Sequence, residues 1–366
     1  ITISTTVTEI GESSFENCTG LTELIIPLNV TTIGMNAFKD CSSLENVTIT
    51  ASIQSLNEHS FNGCTNLTHI NITEGTTVIS DSVFKNLTTL KTINIPRTIT
   101  EICNNSFENC TSLREITIPE NVTKIGHSAF KNCSSINDIN IKTEKITILE
   151  NSTFFGCASL KQFTIPNSIT HISSNSFQNC LKLEEIVIPS NVTTIENSSF
   201  KGCSSLQKIT ISTTVTEIGE SSFENCTGLT ELIIPLSVTT IGMNAFKDCS
   251  SLETILFETK LINIIQKAAF SGCSSLKQIE VPASITEICE NAFENCISLV
   301  ELNVSSNIQI IGNYSFISSS ITSIFIPSSV TEILDHTFEY CNKLSEVVFV
   351  NDSELISIGY KSFVGS

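Results

Sequence analysis

Cysteine is the residue type with the widest chemical repertoire in this chain, and thirteen of the fifteen cysteines lie three residues after a phenylalanine. They are Cys18, Cys41, Cys64, Cys110, Cys133, Cys157, Cys180, Cys203, Cys226, Cys249, Cys273, Cys296 and Cys341. Such thiols could form disulfides, bind zinc or act as nucleophiles. No C-x-x-C pair occurs, so the spacing does not predict a metal site.

The recurrence of cysteine at one position also argues against disulfides. Leu87 and Ser319 replace cysteine in two repeats, and a position that accepts leucine is a buried one, where free cysteine is common. In strands stacked about 4.8 Å apart, parallel Cα–Cβ bonds disfavour a bridge, which needs Cβ atoms about 3.8 Å apart. We therefore predict a ladder of buried, reduced thiols, with Cys103 and Cys289 as isolated substitutions outside it.

No other residue pattern predicts catalysis. The five histidines, at 59, 69, 127, 171 and 336, are scattered along the chain. The chain has no H-E-x-x-H sequence, ordered Ser/His/Asp set, phosphate-binding glycine loop or EF-hand. We therefore expect neither an enzyme nor a cofactor. The net charge of −18 argues against nucleic acid and anionic membranes as partners, because both favour a basic surface.

The elements that position these residues follow from the phenylalanines, sixteen of which recur at intervals of nearly always 23 residues. They are Phe15, Phe38, Phe61, Phe84, Phe107, Phe130, Phe154, Phe177, Phe200, Phe223, Phe246, Phe270, Phe293, Phe316, Phe338 and Phe363. A period of about 20 to 50 residues is typical of stacked repeat proteins. We therefore predict one elongated domain over residues 1–366, with about sixteen repeats.

Counting from each phenylalanine as position 0, the other positions have regular roles. Apolar residues at +9 and +11 alternate with polar ones, which predicts a half-buried strand. Seven of the eight prolines lie at +12, and Pro327 lies at +11 in a repeat that is one residue shorter. A proline ends a strand there because it cannot donate to the ladder. Gly, Asn or Asp is common at +2, so we expect a positive φ there, at the end of a short helical turn that includes the phenylalanine.

The combined pattern L-x-x-L-x-I-P-x-x-V-x-x-I-G-x-x-A-F-x-x-C covers the whole chain. It resembles the leucine-rich repeats of BspA-like surface proteins from anaerobic bacteria and parasitic protists. The resemblance implies a curved, right-handed leucine-rich repeat solenoid with a concave parallel β-sheet. It also implies short second strands and helical turns on the convex side. Finally, it implies cell-surface or secreted localisation and adhesion to host cells or matrix.

Departures from the period are few. One extra residue occurs near Lys142–Lys145 and another near Glu258–Leu261, and we expect both to bulge at one edge. Residues 1–45 recur at 209–253 with one difference, Asn29 against Ser237, which indicates a recent duplication. The chain begins at Ile1 within a strand-like pattern and without an initiator Met. We therefore expect a piece of a longer protein, and the resemblance implies that this protein is membrane-anchored outside the segment.

The outward strand positions, +8 and +10, are where we expect ligand contacts, because these side chains face solvent on the concave sheet. Glutamate recurs at +8, and larger apolar residues occupy the second outward position in later repeats. The predicted binding residues are Glu231, Ile233, Leu256, Glu301, Phe325, Glu346 and Val348. Ordinary β-propensity on an exposed strand is the alternative explanation, and a structural surface-coat or spacer protein is the alternative function.

Sequons for N-glycosylation are also frequent in this Ser/Thr/Asn-rich chain. The predicted sites are Asn29, Asn46, Asn121 and Asn191, each in an Asn-Val-Thr sequence. Glycosylation at these sites requires that the protein is secreted from a eukaryotic cell.

Overall fold

Each repeat contributes up to two short strands, and each strand runs parallel to its counterpart in a neighbouring repeat. The computed structural model describes residues 2–51, 53, 55–350 and 352–366. The chain divides into two units, residues 1–183 and 184–366, and each unit carries eight of the recurring phenylalanines. The architecture is the predicted parallel-strand solenoid of the leucine-rich repeat type.

The longer strand of a repeat covers positions +8 to +10 or +11, except that β27 covers +7 to +10 in the repeat that is one residue shorter. In the first unit these strands are β2 (Glu23–Ile26), β4 (Asn46–Ile49), β6 (His69–Ile72), β8 (Thr92–Asn94), β10 (Glu115–Ile118) and β12 (Asp138–Ile141). In the second unit they are β15 (Glu185–Val187), β17 (Lys208–Thr210), β19 (Glu231–Ile234), β21 (Thr254–Phe257), β23 (Gln278–Glu280), β25 (Glu301–Asn303), β27 (Ser323–Ile326) and β29 (Glu346–Phe349).

The shorter strand of each repeat has two residues and lies just before the phenylalanine. In the first unit these strands are β1 (Glu9–Ile10), β3 (Thr32–Ile33), β5 (Ser55–Leu56), β7 (Val78–Ile79), β9 (Glu101–Ile102), β11 (Lys124–Ile125), β13 (Ile148–Leu149) and β14 (His171–Ile172). In the second unit they are β16 (Thr194–Ile195), β18 (Glu217–Ile218), β20 (Thr240–Ile241), β22 (Ile264–Ile265), β24 (Glu287–Ile288), β26 (Ile310–Ile311), β28 (Glu332–Ile333) and β30 (Ser357–Ile358).

The core consists of columns of equivalent side chains. In β2, Leu24 and Ile26 are buried while Glu23 and Ile25 are exposed, as the period of two predicts. The phenylalanines stack within each unit, with ring centroids of successive repeats between 5.2 and 5.9 Å apart in the first unit and between 5.2 and 5.6 Å in the second. Burial and ring contact together make this stack the centre of each unit.

The predicted helical turn around the phenylalanine is wrong, because the described residues contain no helix. The segment is a series of tight turns with positive φ at +2, as predicted, and also at −2, as at Asn17 (60°) and Ser13 (52°). Two left-handed residues four apart interrupt any helical run. The N–H groups of Ser13, Phe15 and Asn17 donate to carbonyls of the next repeat instead of to their own segment.

The prolines end the long strands as predicted, and they also interrupt the sheet. At +12, the N–H normally donates to the preceding repeat, as from Thr50 to the Ile26 carbonyl at 3.0 Å. Proline has no N–H to donate. The ladder is broken immediately before the repeats that carry Pro119, Pro235, Pro282 and Pro327. Pro96 is an exception, since its strand β8 still pairs with β6, although over three residues only.

Candidate functional site

The outward side chains at the first and third residues of the long strands form what we call the long-strand face. All seven predicted binding residues lie on this face of the second unit. The apolar members are substantially exposed: Ile233 at 48%, Leu256 at 55%, Phe325 at 50% and Val348 at 39%. Such exposure makes them accessible to a partner, and whether they bind one stays a prediction.

The structure brings the apolar residues together as two pairs. Ile233 lies beside Leu256 on β19 and β21, and Phe325 lies beside Val348 on β27 and β29. Between the pairs, β23 and β25 place Glu280 beside Asn303 at the same outward position. The apolar surface is therefore interrupted by a polar pair that sequence reasoning did not include.

The predicted glutamates are separated from one another on the face. Glu231 pairs with Thr254, Glu301 with Gln278, and Glu346 with Ser323. Each carboxylate thus lies beside a neutral residue on its paired strand. This order avoids the repulsion of like charges placed directly opposite each other.

A groove of about 660 Å³ lies between β21 and β23, where the ladder is broken. Leu256, Phe257, Gln278 and Glu280 line it, together with Pro282 and other neighbours. Sequence reasoning missed this groove. Its signal is a repeat that lacks the +12 proline and has an extra residue, followed by a repeat that has the proline.

The first unit has a comparable groove of about 460 Å³ between β8 and β10, at the break before Pro119. Its lining is more strongly charged and includes Arg97, Glu115, Asp138 and Lys142. Arg97 is already paired with a carboxylate, since its Nε lies 3.3 Å from an oxygen of Glu74. A broken ladder thus opens a groove in both units, and the flanking side chains give each groove its own chemistry.

The cysteine series forms the predicted buried ladder of free thiols. Twelve of its thirteen members are buried, and Cys18 is half-buried. The Cys110 thiol donates to the Phe84 carbonyl of the preceding repeat at 3.1 Å, and the same contact recurs along the series. Burial raises the pKa of the Cys133 thiol to about 12. These thiols therefore act as structural donors to the backbone of the preceding repeat.

Two of the predicted glycosylation sites have a structural role in this fold. The Asn29 amide donates to the Thr5 carbonyl at 2.6 Å, and the Asn121 amide donates to the Arg97 carbonyl at 2.9 Å. A glycan on either nitrogen would disturb that contact. Asn46 and Asn191 are exposed, and use of all four sites stays a prediction.

The described residues contain no group of three or more His, Cys, Asp or Glu side chains arranged to hold a metal ion. Nor do they include a helix of the length and apolar character needed to cross a membrane.

Solved structures of leucine-rich repeat proteins are similar to this chain. A leucine-rich repeat protein from Bacteroides ovatus is 26% identical, with a TM-score of 0.70 over 94% of this chain and 84% of that one. A leucine-rich repeat protein from Eubacterium ventriosum is 23% identical, with a TM-score of 0.50 over 94% of this chain and 82% of that one. A leucine rich cell surface protein from Faecalibacterium prausnitzii is 25% identical, with a TM-score of 0.40 over 98% of this chain and 89% of that one.

No curated protein sequence matches the chain significantly. The sequence profile of the BspA type leucine rich repeat region (6 copies) matches residues 1–110, 77–207, 170–268 and 263–366. These overlapping matches span the chain. Together with the parallel strands and the stacked phenylalanines, they show that the chain belongs to the BspA-type leucine-rich repeat family.

Proposed function

We propose that this protein is the binding module of a cell-surface or secreted adhesin, and that its long-strand face recognises a host-cell or matrix protein or glycan. The observation that carries the proposal is that exposed apolar residues lie side by side on paired strands of the second unit. Ile233 lies beside Leu256, and Phe325 lies beside Val348. Single exposed apolar residues are common on protein surfaces. Adjacent ones on paired strands form larger patches, which favour contact with a partner.

The family supports the same proposal. The BspA-type match identifies a leucine-rich repeat scaffold, and the resemblance to BspA-like surface proteins implies display outside the cell. Stacked repeats present many similar contacts, and several weak contacts made together give a higher apparent affinity than any one of them.

The experiment is an adhesion assay with the triple variant Ile233→Lys, Leu256→Lys, Phe325→Lys on cultured host cells and on wells coated with matrix proteins. We expect adhesion to be lost, because charged side chains cannot enter an apolar contact without desolvation. The matched control is Ile25→Lys, since Ile25 is 50% exposed on β2 within the same duplicated sequence. Thermal unfolding of both variants checks that the fold is kept.

Unchanged adhesion of the triple variant would contradict the proposal and favour the alternative, a surface-coat or spacer protein that mainly sets length. The near-identical blocks 1–45 and 209–253 are compatible with that alternative, since a duplicated block lengthens a solenoid without adding new chemistry.

A further inference from the structure

The groove between β21 and β23 begins where the duplicated block ends. Block 209–253 is nearly the same as block 1–45, and the first residue beyond it, Thr254, lines the groove. The equivalent residues after the first block are Asn46 and Thr48, where the second unit has Thr254 and Leu256. The groove is thus built from sequence that the duplication does not share.

The floor of the groove exposes side chains that are core residues elsewhere. Ile255 and Phe257 of β21 are half-buried, whereas the equivalent Leu232 and Ile234 of β19 are 2% and 0% exposed. Phe257 is held in place by edge-on packing against Phe270, with ring centroids 6.2 Å apart. The broken ladder therefore uncovers an ordered apolar floor that contains an aromatic ring.

Five polar side chains around this floor have no internal partners within the described residues. Thr254, Lys260, Gln278, Glu280 and Asn303 line the groove, and none of their side chains makes a hydrogen bond or ion pair within the described residues. They supply donors and acceptors together. Lys260 and Glu280 are the charged residues of the lining, and their charges cancel.

Ser284 shows that the packing beside the groove is irregular. The residue lines the groove, and its hydroxyl is enclosed without a hydrogen-bond partner within the described residues. At the equivalent position of other repeats, the Ser168 and Ser237 hydroxyls each donate to a carbonyl at 2.6 Å. A buried hydroxyl without a partner is costly, so the chain loses a regular contact between repeats at this point.

From these contacts we infer that the groove is a subsite for a neutral saccharide of one or two rings. Hydroxyls match a lining that offers both donors and acceptors, and the C–H face of a sugar ring matches Phe257 and Ile255. The cancelled charges favour a neutral ligand. A four-residue strand is about 13 Å long, and grooves of about 300 to 1,000 Å³ are typical of small-ligand sites. The inference rests on the proposed function and names the ligand of one part of the face.

The test is titration of the full chain with lactose, maltose, cellobiose and diacetylchitobiose, followed by saturation-transfer NMR and calorimetry. We expect at least one disaccharide to saturate with a dissociation constant of about 1 mM. Glu280→Ala and Asn303→Ala should each weaken that binding about tenfold, because each removes a hydrogen bond to the ligand. Ser284→Ala should leave binding and stability unchanged, since the enclosed hydroxyl makes no internal hydrogen bond. Glu115→Ala, beside the ladder break of the first unit, is the matched control and should bind normally.

Three outcomes would overturn the inference. They are the absence of saturable binding by all four sugars, binding that Glu280→Ala and Asn303→Ala leave unchanged, and equal or stronger binding of triglycine that these variants abolish. These results are separate from the adhesion assay. If adhesion depends on Ile233, Leu256 and Phe325 while no sugar binds, the inference fails and the proposed function stands. If sugar binds while the triple variant still adheres, the proposed function fails and the subsite stands.

Discussion

Replacement of Phe223 by alanine tests whether the phenylalanine stack holds neighbouring repeats together. Phe223 is fully buried, and its ring stacks on Phe200 and on Phe246 at 5.3 Å in each case. A buried Phe→Ala change costs about 3 to 5 kcal/mol through lost transfer free energy and the cavity left behind. Each stacked contact contributes about 0.5 to 1.5 kcal/mol beyond area burial. We therefore expect a loss near the upper end, about 5 kcal/mol.

Phe15 is a matched control, because residues 1–45 and 209–253 place it in the same local sequence as Phe223. It is half-buried and has one stacked neighbour, Phe38, at 5.2 Å. With less area buried and one aromatic contact fewer, Phe15→Ala should cost about 2 kcal/mol. The difference between the two variants isolates the contribution of neighbouring repeats from that of the residue itself.

Urea unfolding followed by circular dichroism measures both losses, and hydrogen exchange with mass spectrometry locates them. In repeat proteins stability is close to a sum of repeat terms and nearest-neighbour terms. Phe223→Ala should therefore increase exchange in the repeats of Phe200 and Phe246 before distant ones. Phe223→Leu, which keeps apolar volume without the ring, should fall between wild type and alanine. Equal losses for Phe15→Ala and Phe223→Ala, with uniform exchange, would refute the reasoning.

Three further predictions concern single positions of the repeat. Ser222→Ala should leave stability unchanged or raise it, because that buried hydroxyl has no partner among the described residues. Ser60→Ala should instead lower stability by about 1 kcal/mol, because it removes a 2.7 Å hydrogen bond to a backbone carbonyl. Thermal unfolding of the two variants measures this difference. Asn225 has a φ of 61°, so Asn225→Gly should be tolerated and Asn225→Val should cost about 1 to 2 kcal/mol in urea unfolding. Burial raises the Cys133 pKa from 9.0 to about 12, so the unfolded chain releases this thiol proton first. The contribution of Cys133 to stability, measured as the difference in urea unfolding between wild type and Cys133→Ala, should be constant below pH 9 and fall as pH approaches 12; a difference that does not change at alkaline pH would contradict this.

The repeat period and the alternation of burial could be predicted from the sequence. The period follows from the regularly spaced phenylalanines, and the alternation follows from apolar residues at every second position of the strand. Leu24 and Ile26 are buried and Ile25 is exposed, as the period of two requires. The positive φ at +2 was readable because Asn17 and its equivalents are mostly Asn, Asp or Gly. The same conformation at −2 was not readable. That position accepts residues as different as Ser13 and Tyr314, because hydrogen bonds to the next repeat hold it.

The grooves could not be read from one repeat at a time. A proline at +12 ends its own strand, which the sequence predicts, but its missing N–H affects the carbonyl of the preceding repeat. The consequence depends on the neighbour: β8 keeps its pairing despite Pro96, whereas the ladder before Pro282 is broken. The groove is thus a property of two adjacent repeats together.

The duplicated blocks show how far local sequence determines the surface. Ile25 and Ile233 are 50% and 48% exposed, and Leu28 and Leu236 are 64% and 62% exposed, so equal sequences present nearly equal surfaces in the two units. What differs is the next strand, which pairs Ile25 with Thr48 and Ile233 with Leu256. A partner that distinguishes the two copies must therefore read the strand that follows the block. β21 supplies Leu256 to the apolar pair and also forms one side of the groove. We therefore expect β21 to determine which partner is bound.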